Sequence, residues 1–207
     1  MEKLRIFYLK YKHAIPLIIY GIIYMAWFAW LEKNTTGHYR IIHMAADDYI
    51  PFCEVFVIPY FLWFAYVSAV VIYFFFKNKE DYYRTCIFLF TGMTIFLIVS
   101  TRMVAALYRT DTPTNLWPSI HVYNSLGAHF AIIRSKCFEK KKGIRIGSLI
   151  LAVSIIMATM FIKQHSVFDV LTAFVMAAVM YTLVYRYDLL IAVREFRNKR
   201  KAKPQIG

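Results

Sequence analysis

The hydrophobic residues of the chain fall into six long apolar segments separated by shorter polar stretches. Each segment approaches the ~20 residues that a helix needs to cross a bilayer. The third and fourth are short or partly polar, and polar residues inside a membrane helix must face protein or a water-filled cavity. The pattern predicts six spanning helices over residues 14–31, 52–76, 84–101, 118–134, 146–163 and 166–191.

Lysine and arginine are divided unequally between the connections of these segments. Of the 25, four precede the first segment, three lie at the connection of the second and third segments, counted with the adjoining segment ends, six at that of the fourth and fifth, and seven in the carboxyl-terminal part. Cytoplasmic loops carry such an excess, so the distribution predicts that both termini are cytoplasmic. We expect one all-α membrane domain over residues 1–196 and a basic cytoplasmic tail at 197–207. The five residues left for the outer side are Lys33, Arg40, Arg102, Arg109 and Lys163.

Composition agrees with a membrane protein and excludes other classes. Hydrophobic residues make up 60% of the chain, above the 45–50% that is usual for a soluble domain. The net charge of +13 does not predict a nucleic-acid partner, because the basic residues flank apolar runs and no nucleic-acid-binding motif accompanies them. Contact with anionic lipid headgroups explains them. The three scattered cysteines fit neither a disulfide framework nor a zinc site.

Two segments carry residues that suit phosphate chemistry. Pro118 is predicted in the first turn of the fourth helix, so that Ser119 and His121 lie beside unpaired amides that attract an anion. His165 and Asp169 lie four residues apart at the outer start of the sixth helix and share one face. A carboxylate there fixes the imidazole tautomer and makes the other nitrogen a better nucleophile.

The predicted topology puts both segments at the same membrane depth, so we expect the two histidines to meet. Lys163 can add positive charge near a phosphoryl group. The other histidines are most simply interface or core residues, with His129 in the core. The acidic residues Asp47, Asp48 and Glu54 are most simply surface carboxylates. A zinc site formed by His121, His165 and Asp169 is not expected, because no third histidine or cysteine is well placed.

The sequence Pro118-Ser119-Ile120-His121 followed by His165-x-x-x-Asp169 resembles two signature motifs of the type 2 phosphatidic acid phosphatase superfamily. The stretches 111–115 and 163–170 look like a bacterial branch of that group, and the resemblance covers about Pro51 to Tyr187. It implies a bundle of six membrane helices in the bacterial cytoplasmic membrane, with the site opening on the outer leaflet and no metal or cofactor.

Carried over by position, the resemblance assigns a role to each motif residue. His165 would attack phosphorus and form a phosphohistidine, and Asp169 would orient it. His121 would protonate the leaving lipid oxygen, and Ser119 would hold the phosphoryl oxygens.

The sequence departs from the family pattern at two places. A Ser-Arg pair normally precedes the third motif, whereas this chain has Ala158 and Thr159 there. The first motif, with its Arg-Pro, is absent, and the junction at Ser100–Thr101 looks shortened, by a real deletion or by a loop missing from the chain. Lys163, Arg102 and Arg109 are the substitutes predicted for the lost cations.

The predicted function is a lipid phosphate or lipid diphosphate phosphatase acting on the extracytoplasmic side. The first alternative is a phospholipid or sphingolipid headgroup transferase, in which an alcohol replaces water as the acceptor. The second is a non-catalytic lipid-binding protein that has kept the bundle.

Overall fold

The computed structural model describes residues 12–34, 43–110, 117–191 and 195, and no strand occurs in those ranges. Six α-helices follow one another: α1 (Ile15–Asn34), α2 (Val57–Lys77), α3 (Lys79–Thr110), α4 (Ile120–Arg134), α5 (Lys142–Phe161) and α6 (Val167–Tyr181). A π-helical turn, Thr182–Arg186, continues α6. Helix α3 runs unbroken across Ser100–Thr101. The predicted tail at 197–207 lies outside the described residues.

Five of the helices are long and apolar enough to cross a membrane. The candidate spans are Ile15–Lys33, Glu54–Lys77, Lys79–Arg102, Lys142–Phe161 and Val167–Arg186. The fourth predicted span is the exception, because α4 has only 15 residues. At 1.5 Å per residue it is about 22 Å long, less than the ~30 Å hydrocarbon core of a bilayer.

Helix α4 occupies the centre of the bundle and packs against α2, α3, α5 and α6. Ten of its 15 residues are buried, including the polar Asn124, Ser125 and His129. The ring Nδ1 of His129 lies 3.0 Å from the hydroxyl of Ser148 on α5, so the predicted core role of His129 is confirmed. The surrounding helices instead expose large apolar side chains, such as Ile22 of α1, as expected of a surface that faces lipid.

Two glycines allow α3 and α4 to approach closely. A Cβ added to Gly92 would lie 1.9 Å from the ring of Tyr123, and one added to Gly127 would lie 2.6 Å from the ring of Phe88. The Tyr123 ring is fully buried, and its hydroxyl donates a hydrogen bond to the carbonyl of Phe88 at 2.8 Å. The missing side chains thus make room for an aromatic contact that joins the two helices.

Successive helices alternate in direction. Asn78 alone separates α2 from α3. It caps the start of α3, because its Oδ1 accepts the N–H groups of Glu80 and Asp81. Helices α1 and α3 run the same way: Tyr20 donates to the carbonyl of Phe90 at 2.9 Å, and farther along both helices Trp27 donates to Thr101 at 3.0 Å.

The bundle therefore has two distinct ends. At one, which we call the basic end, Arg84 of α3 pairs with Asp188 just after the π-helical turn. Here Ser135 at the end of α4 also donates to Asp81 at 2.6 Å. The other, which we call the histidine end, contains Ser119, His121 and His165.

Candidate active site at the histidine end

Helix α4 begins with the motif that contains His121. Ser119 is the N-cap residue, and its carbonyl accepts the N–H of Tyr123 at 3.1 Å, but its side chain forms no capping bond. The helix starts at Ile120, so the prediction that Pro118 lies within the first turn is wrong by two residues. His121 does lie in that turn, beside amide groups that have no partner within the helix.

Two aromatic residues of α2 fix the His121 ring. The Tyr60 ring stacks on it with centroids 4.5 Å apart, and the Trp63 ring lies 4.4 Å away. Tyr60 and Trp63 are three residues apart, so they share a face of α2. Sequence reasoning missed both residues, because an aromatic pair in an aromatic-rich span carries no local sign of function.

The second motif lies where α5 turns into α6. The His165 N–H donates to the carbonyl of Thr159 at 3.0 Å, which holds the turn against α5. Ser166 caps α6, and Asp169 in the first turn accepts the Ser166 N–H at 3.3 Å. The same carboxylate oxygen lies 3.1 Å from His165 Nδ1. Because Asp169 is completely buried, it is well placed to hold a proton on Nδ1 and leave Nε2 with its lone pair.

The structure brings the two motif histidines together. The ring centroids of His121 and His165 are 6.0 Å apart, and the rings are tilted by 55°. One ring comes from the start of α4 and the other from the α5–α6 connection. Residues 44 positions apart in sequence therefore lie side by side at one end of the bundle, as the alternating topology predicts.

Lys163 has partners other than a ligand. Its backbone is in the left-handed region, with φ 56°. Its ammonium donates to the carbonyls of Asp47 and Ile50 in the loop before α2. Its role as a phosphate ligand stays a prediction, and the contacts in the structure give it a different task, which is to fasten this loop.

Asp47 joins the same loop to the start of α6. Its carboxylate accepts the Ser166 hydroxyl at 2.6 Å, the Val167 N–H at 2.8 Å and the Met44 N–H at 2.7 Å. Partial burial acts to raise the pKa of this carboxyl, but the three hydrogen bonds and nearby His43 outweigh it and lower the pKa. The prediction that Asp47 is a simple surface carboxylate is therefore wrong. The sequence does not indicate this contact, because its partner Ser166 is 119 positions away.

A cavity of about 390 Å³ opens beside His165. Asp47, Asp48, His43 and Lys163 contribute its charged and titratable walls, with Ile50 and Met160 among the apolar ones. The ring Nε2 of His43 lies 2.9 Å from a carboxylate oxygen of Asp48, and both side chains are largely exposed. The mouth of the site therefore contains two carboxylates as well as one lysine.

Arg102 and Arg109, the two arginines predicted to bind phosphate, are not placed at the histidines by any described contact. Arg102 is exposed on α3, two residues after Ser100, whose hydroxyl donates to the Trp117 carbonyl at 3.3 Å. Arg109 is in the last part of α3, where side chains are outside the described residues. Their roles in phosphate binding stay predictions.

No family model, curated protein or solved structure matches this chain. The chemistry of the site is read from its own side chains. Among the described residues, no group of three or more His, Cys, Asp and Glu is arranged to hold a metal ion. What the site does contain is an imidazole oriented by a buried carboxylate and a second imidazole beside it. This combination suits nucleophilic attack and proton transfer on one bound group.

Proposed function

We propose that this chain is a membrane lipid phosphate or lipid diphosphate phosphatase that works through a phosphohistidine. The observation that carries the proposal is the arrangement of His165, Asp169 and His121. A buried carboxylate lies 3.1 Å from one nitrogen of His165, and the ring of His121 lies 6.0 Å from that of His165. The motif resemblance to the type 2 phosphatidic acid phosphatases supports the same roles.

The reaction proceeds in two steps. His165 Nε2 attacks phosphorus and the bond from phosphorus to the lipid oxygen breaks. His121, which the neighbouring phosphate anion favours in its imidazolium form, gives a proton to that oxygen. Water then attacks the phosphohistidine, its proton passes to His121, and the nitrogen–phosphorus bond breaks to release phosphate. Asp169 keeps the proton on Nδ1 and stabilises the positive charge of the phosphorylated imidazole.

We further propose that α4 is a sixth membrane-crossing helix and that the histidine end faces the extracytoplasmic side. The helix is short, but four neighbours cover its polar residues, which relieves the cost of placing them in lipid. The basic end, with Arg134 and Lys136, then lies at the cytoplasm, where it contacts anionic lipids. The resemblance to bacterial sequences suggests the bacterial cytoplasmic membrane.

Two cysteines allow the orientation to be tested. Cys53 lies near the histidine end, where its N–H donates to the Phe161 carbonyl at 3.0 Å. Cys137 follows α4 at the basic end, and both cysteines are partly exposed, whereas Cys86 is buried. In a Cys86→Ala background, a membrane-impermeant thiol reagent applied to intact cells should label Cys53 and leave Cys137 unlabelled until the cells are opened. The reverse pattern would overturn the orientation.

Catalysis is tested by phosphate release in detergent from a panel of lipid phosphates and diphosphates. His165→Ala should abolish both phosphate release and an acid-labile phosphoprotein that is trapped during turnover. The matched control is His129→Asn, which changes a buried histidine in the middle of α4 and should retain activity per folded protein. Unchanged turnover in His165→Ala would rule out the nucleophile.

A headgroup transferase is the second candidate function, and the residues that line the cavity beside His165 support it. Asp47 and Asp48 line that cavity, and carboxylates favour a cationic group attached to the phosphate. The Lys163 ammonium there already donates to two loop carbonyls. With a phosphodiester lipid and an acceptor lipid, a new phosphodiester product would favour the transferase, whereas free phosphate favours the phosphatase. If neither product forms and no phosphohistidine is trapped, the result favours the third candidate, a non-catalytic lipid-binding protein.

A further inference from the structure

A phosphoryl group needs donors around its oxygens, and cations usually supply them. In this chain the positions of the family's Ser-Arg pair are Ala158 and Thr159, both completely buried. The Thr159 hydroxyl donates to the Ile156 carbonyl at 2.7 Å, so it is already used within α5. Lys163 is likewise held by the loop. Further donors for the phosphoryl oxygens are therefore of interest at the histidine end.

Besides His121 Nδ1 and Asp169 Oδ1, three buried donor atoms of neutral side chains at this end have no hydrogen-bond partner within the described part of the chain. They are the indole nitrogens of Trp63 and Trp117 and the hydroxyl of Ser119. An indole nitrogen can only donate a hydrogen bond. Both tryptophans therefore lack an acceptor among the described protein atoms. Most buried polar side-chain atoms in proteins are paired, and three unpaired donors in one region call for an acceptor that binds from outside.

Each of these donors is connected to the proposed reaction centre by a ring contact or by its position in the chain. The Trp63 ring contacts His121, with centroids 4.4 Å apart. Ser119 and Trp117 precede His121 by two and four residues, and Ser119 is the N-cap residue of α4, which contains His121. The Trp117 ring stacks on Phe168 at 6.0 Å, one residue before Asp169. The three donors thus come from two separate segments that converge on the histidines.

We propose that two neutral donors, Trp63 Nε1 and Trp117 Nε1, bind the oxyanion at this site in place of the missing arginines, together with Ser119 Oγ, whose phosphate-holding role the family resemblance already implies. The first turn of α4 adds its free N–H groups, which favour an anion. Neutral donors suffice in a buried site, because preorganised dipoles act strongly where water is excluded. The inference rests on the proposed function for the identity of the anion as a phosphoryl group, but the donors can be tested with an inorganic anion alone.

The direct test is the indole N–H resonances of the full chain in detergent with orthovanadate as the probe. The chain has only four tryptophans, so each resonance can be assigned with one Trp→Phe variant. Vanadate should shift the resonances of Trp63 and Trp117 and leave those of Trp27 and Trp30 in place. No shift at either Trp63 or Trp117 overturns the assignment of the indole donors.

Affinity gives a second, independent measurement. Trp63→Phe and Trp117→Phe keep an aromatic ring and remove only the N–H. Loss of one hydrogen bond to a charged acceptor should weaken vanadate binding about ten- to a hundredfold. Trp27→Phe is the matched control, because that indole already donates to Thr101 at 3.0 Å, and it should leave the affinity unchanged. Equal affinity in all three variants would overturn the proposal.

The two proposals fail in different ways. If phosphate release depends on His165 but the indole resonances do not move, the proposal of indole donors is overturned and the proposed phosphatase function stands. Shifted resonances without any turnover support the oxyanion site and overturn the phosphatase. Neither shift nor turnover overturns both.

Discussion

The Asp169→Asn variant tests the central pair of the site. In the structure one carboxylate oxygen accepts the Ser166 N–H at 3.3 Å and lies 3.1 Å from His165 Nδ1. The other oxygen is buried and has no partner in the described ranges. The amide keeps the size of the carboxylate, so the substitution removes the charge and offers His165 either an oxygen or an N–H group.

The magnitude follows from which group faces His165. If the amide oxygen faces it, the loss is that of one charge-assisted hydrogen bond, about 1.5–3 kcal/mol, which is roughly a 10- to 150-fold fall in kcat. If the amide N–H faces it, the imidazole is held in the wrong tautomer, and the fall can approach ~10⁴-fold, as in a serine-protease triad. KM should change little, because Asp169 is completely buried and acts on substrate only through His165.

The assay is steady-state phosphate release from a lipid phosphate in detergent, with the unfolding midpoint measured on the same preparations. Asp188→Asn is the matched control. It removes a carboxylate that also has one unpartnered buried oxygen, but that pairs with Arg84 at the basic end. The control should keep its kcat. If Asp169→Asn keeps kcat within about threefold of the wild type, well short of the loss expected for a single charge-assisted bond, the assignment of Asp169 as the positioning residue is refuted.

Two further predictions concern stability. Gly92→Ala should lower the unfolding midpoint in detergent, because the added Cβ would lie 1.9 Å from the ring of Tyr123 and overpacking costs about 1–3 kcal/mol. Gly143→Ala is the control, because a Cβ at Gly143 would meet open space. Equal midpoints for the two variants would contradict the close packing of α3 and α4. Asp47→Asn should reduce protection of the 44–50 loop from hydrogen exchange at neutral pH. The lowered pKa of Asp47 means that the wild-type carboxylate stabilises the fold above its ordinary pKa and loses this effect as pH falls through the lowered value. The two proteins should therefore converge in strong acid, and a constant difference at all pH values would show that charge is not involved.

Much of the architecture is predictable from the sequence, because apolar runs and helix spacing are local properties. The pairing of His165 with Asp169 is predicted correctly, but the reason given for it is wrong: α6 begins at Val167, and His165 lies in the turn before it, so the two residues do not share a helix face. The meeting of His121 with His165 follows from alternating helix direction. The length of α4 was less predictable. Residues 118–134 read as a span, but Ser119 ends up as the N-cap, and the helix is 15 residues long.

The surroundings of the histidines could not be predicted, because they depend on side chains that meet only in the folded bundle. Asp47 binds Ser166 across 119 positions, and nothing near either residue indicates it. Trp63 contacts His121 from another helix. In a chain with 16 Tyr, 18 Phe and 4 Trp, one aromatic residue among many does not stand out until its neighbours are known.

The central position of α4 has a consequence for how the protein is made. Its Asn124, Ser125 and His129 are buried against four helices, yet two of those helices, α5 and α6, follow it in the chain. As a proposed membrane-crossing helix, α4 is synthesised before two of the four helices that bury its polar residues. Polar residues raise the cost of inserting a lone helix, so on this proposal a chain that stops after Arg134 should fail to keep α4 in the bilayer. The histidine site also needs His165 and Asp169, so it can be assembled only after the start of α6 has been made.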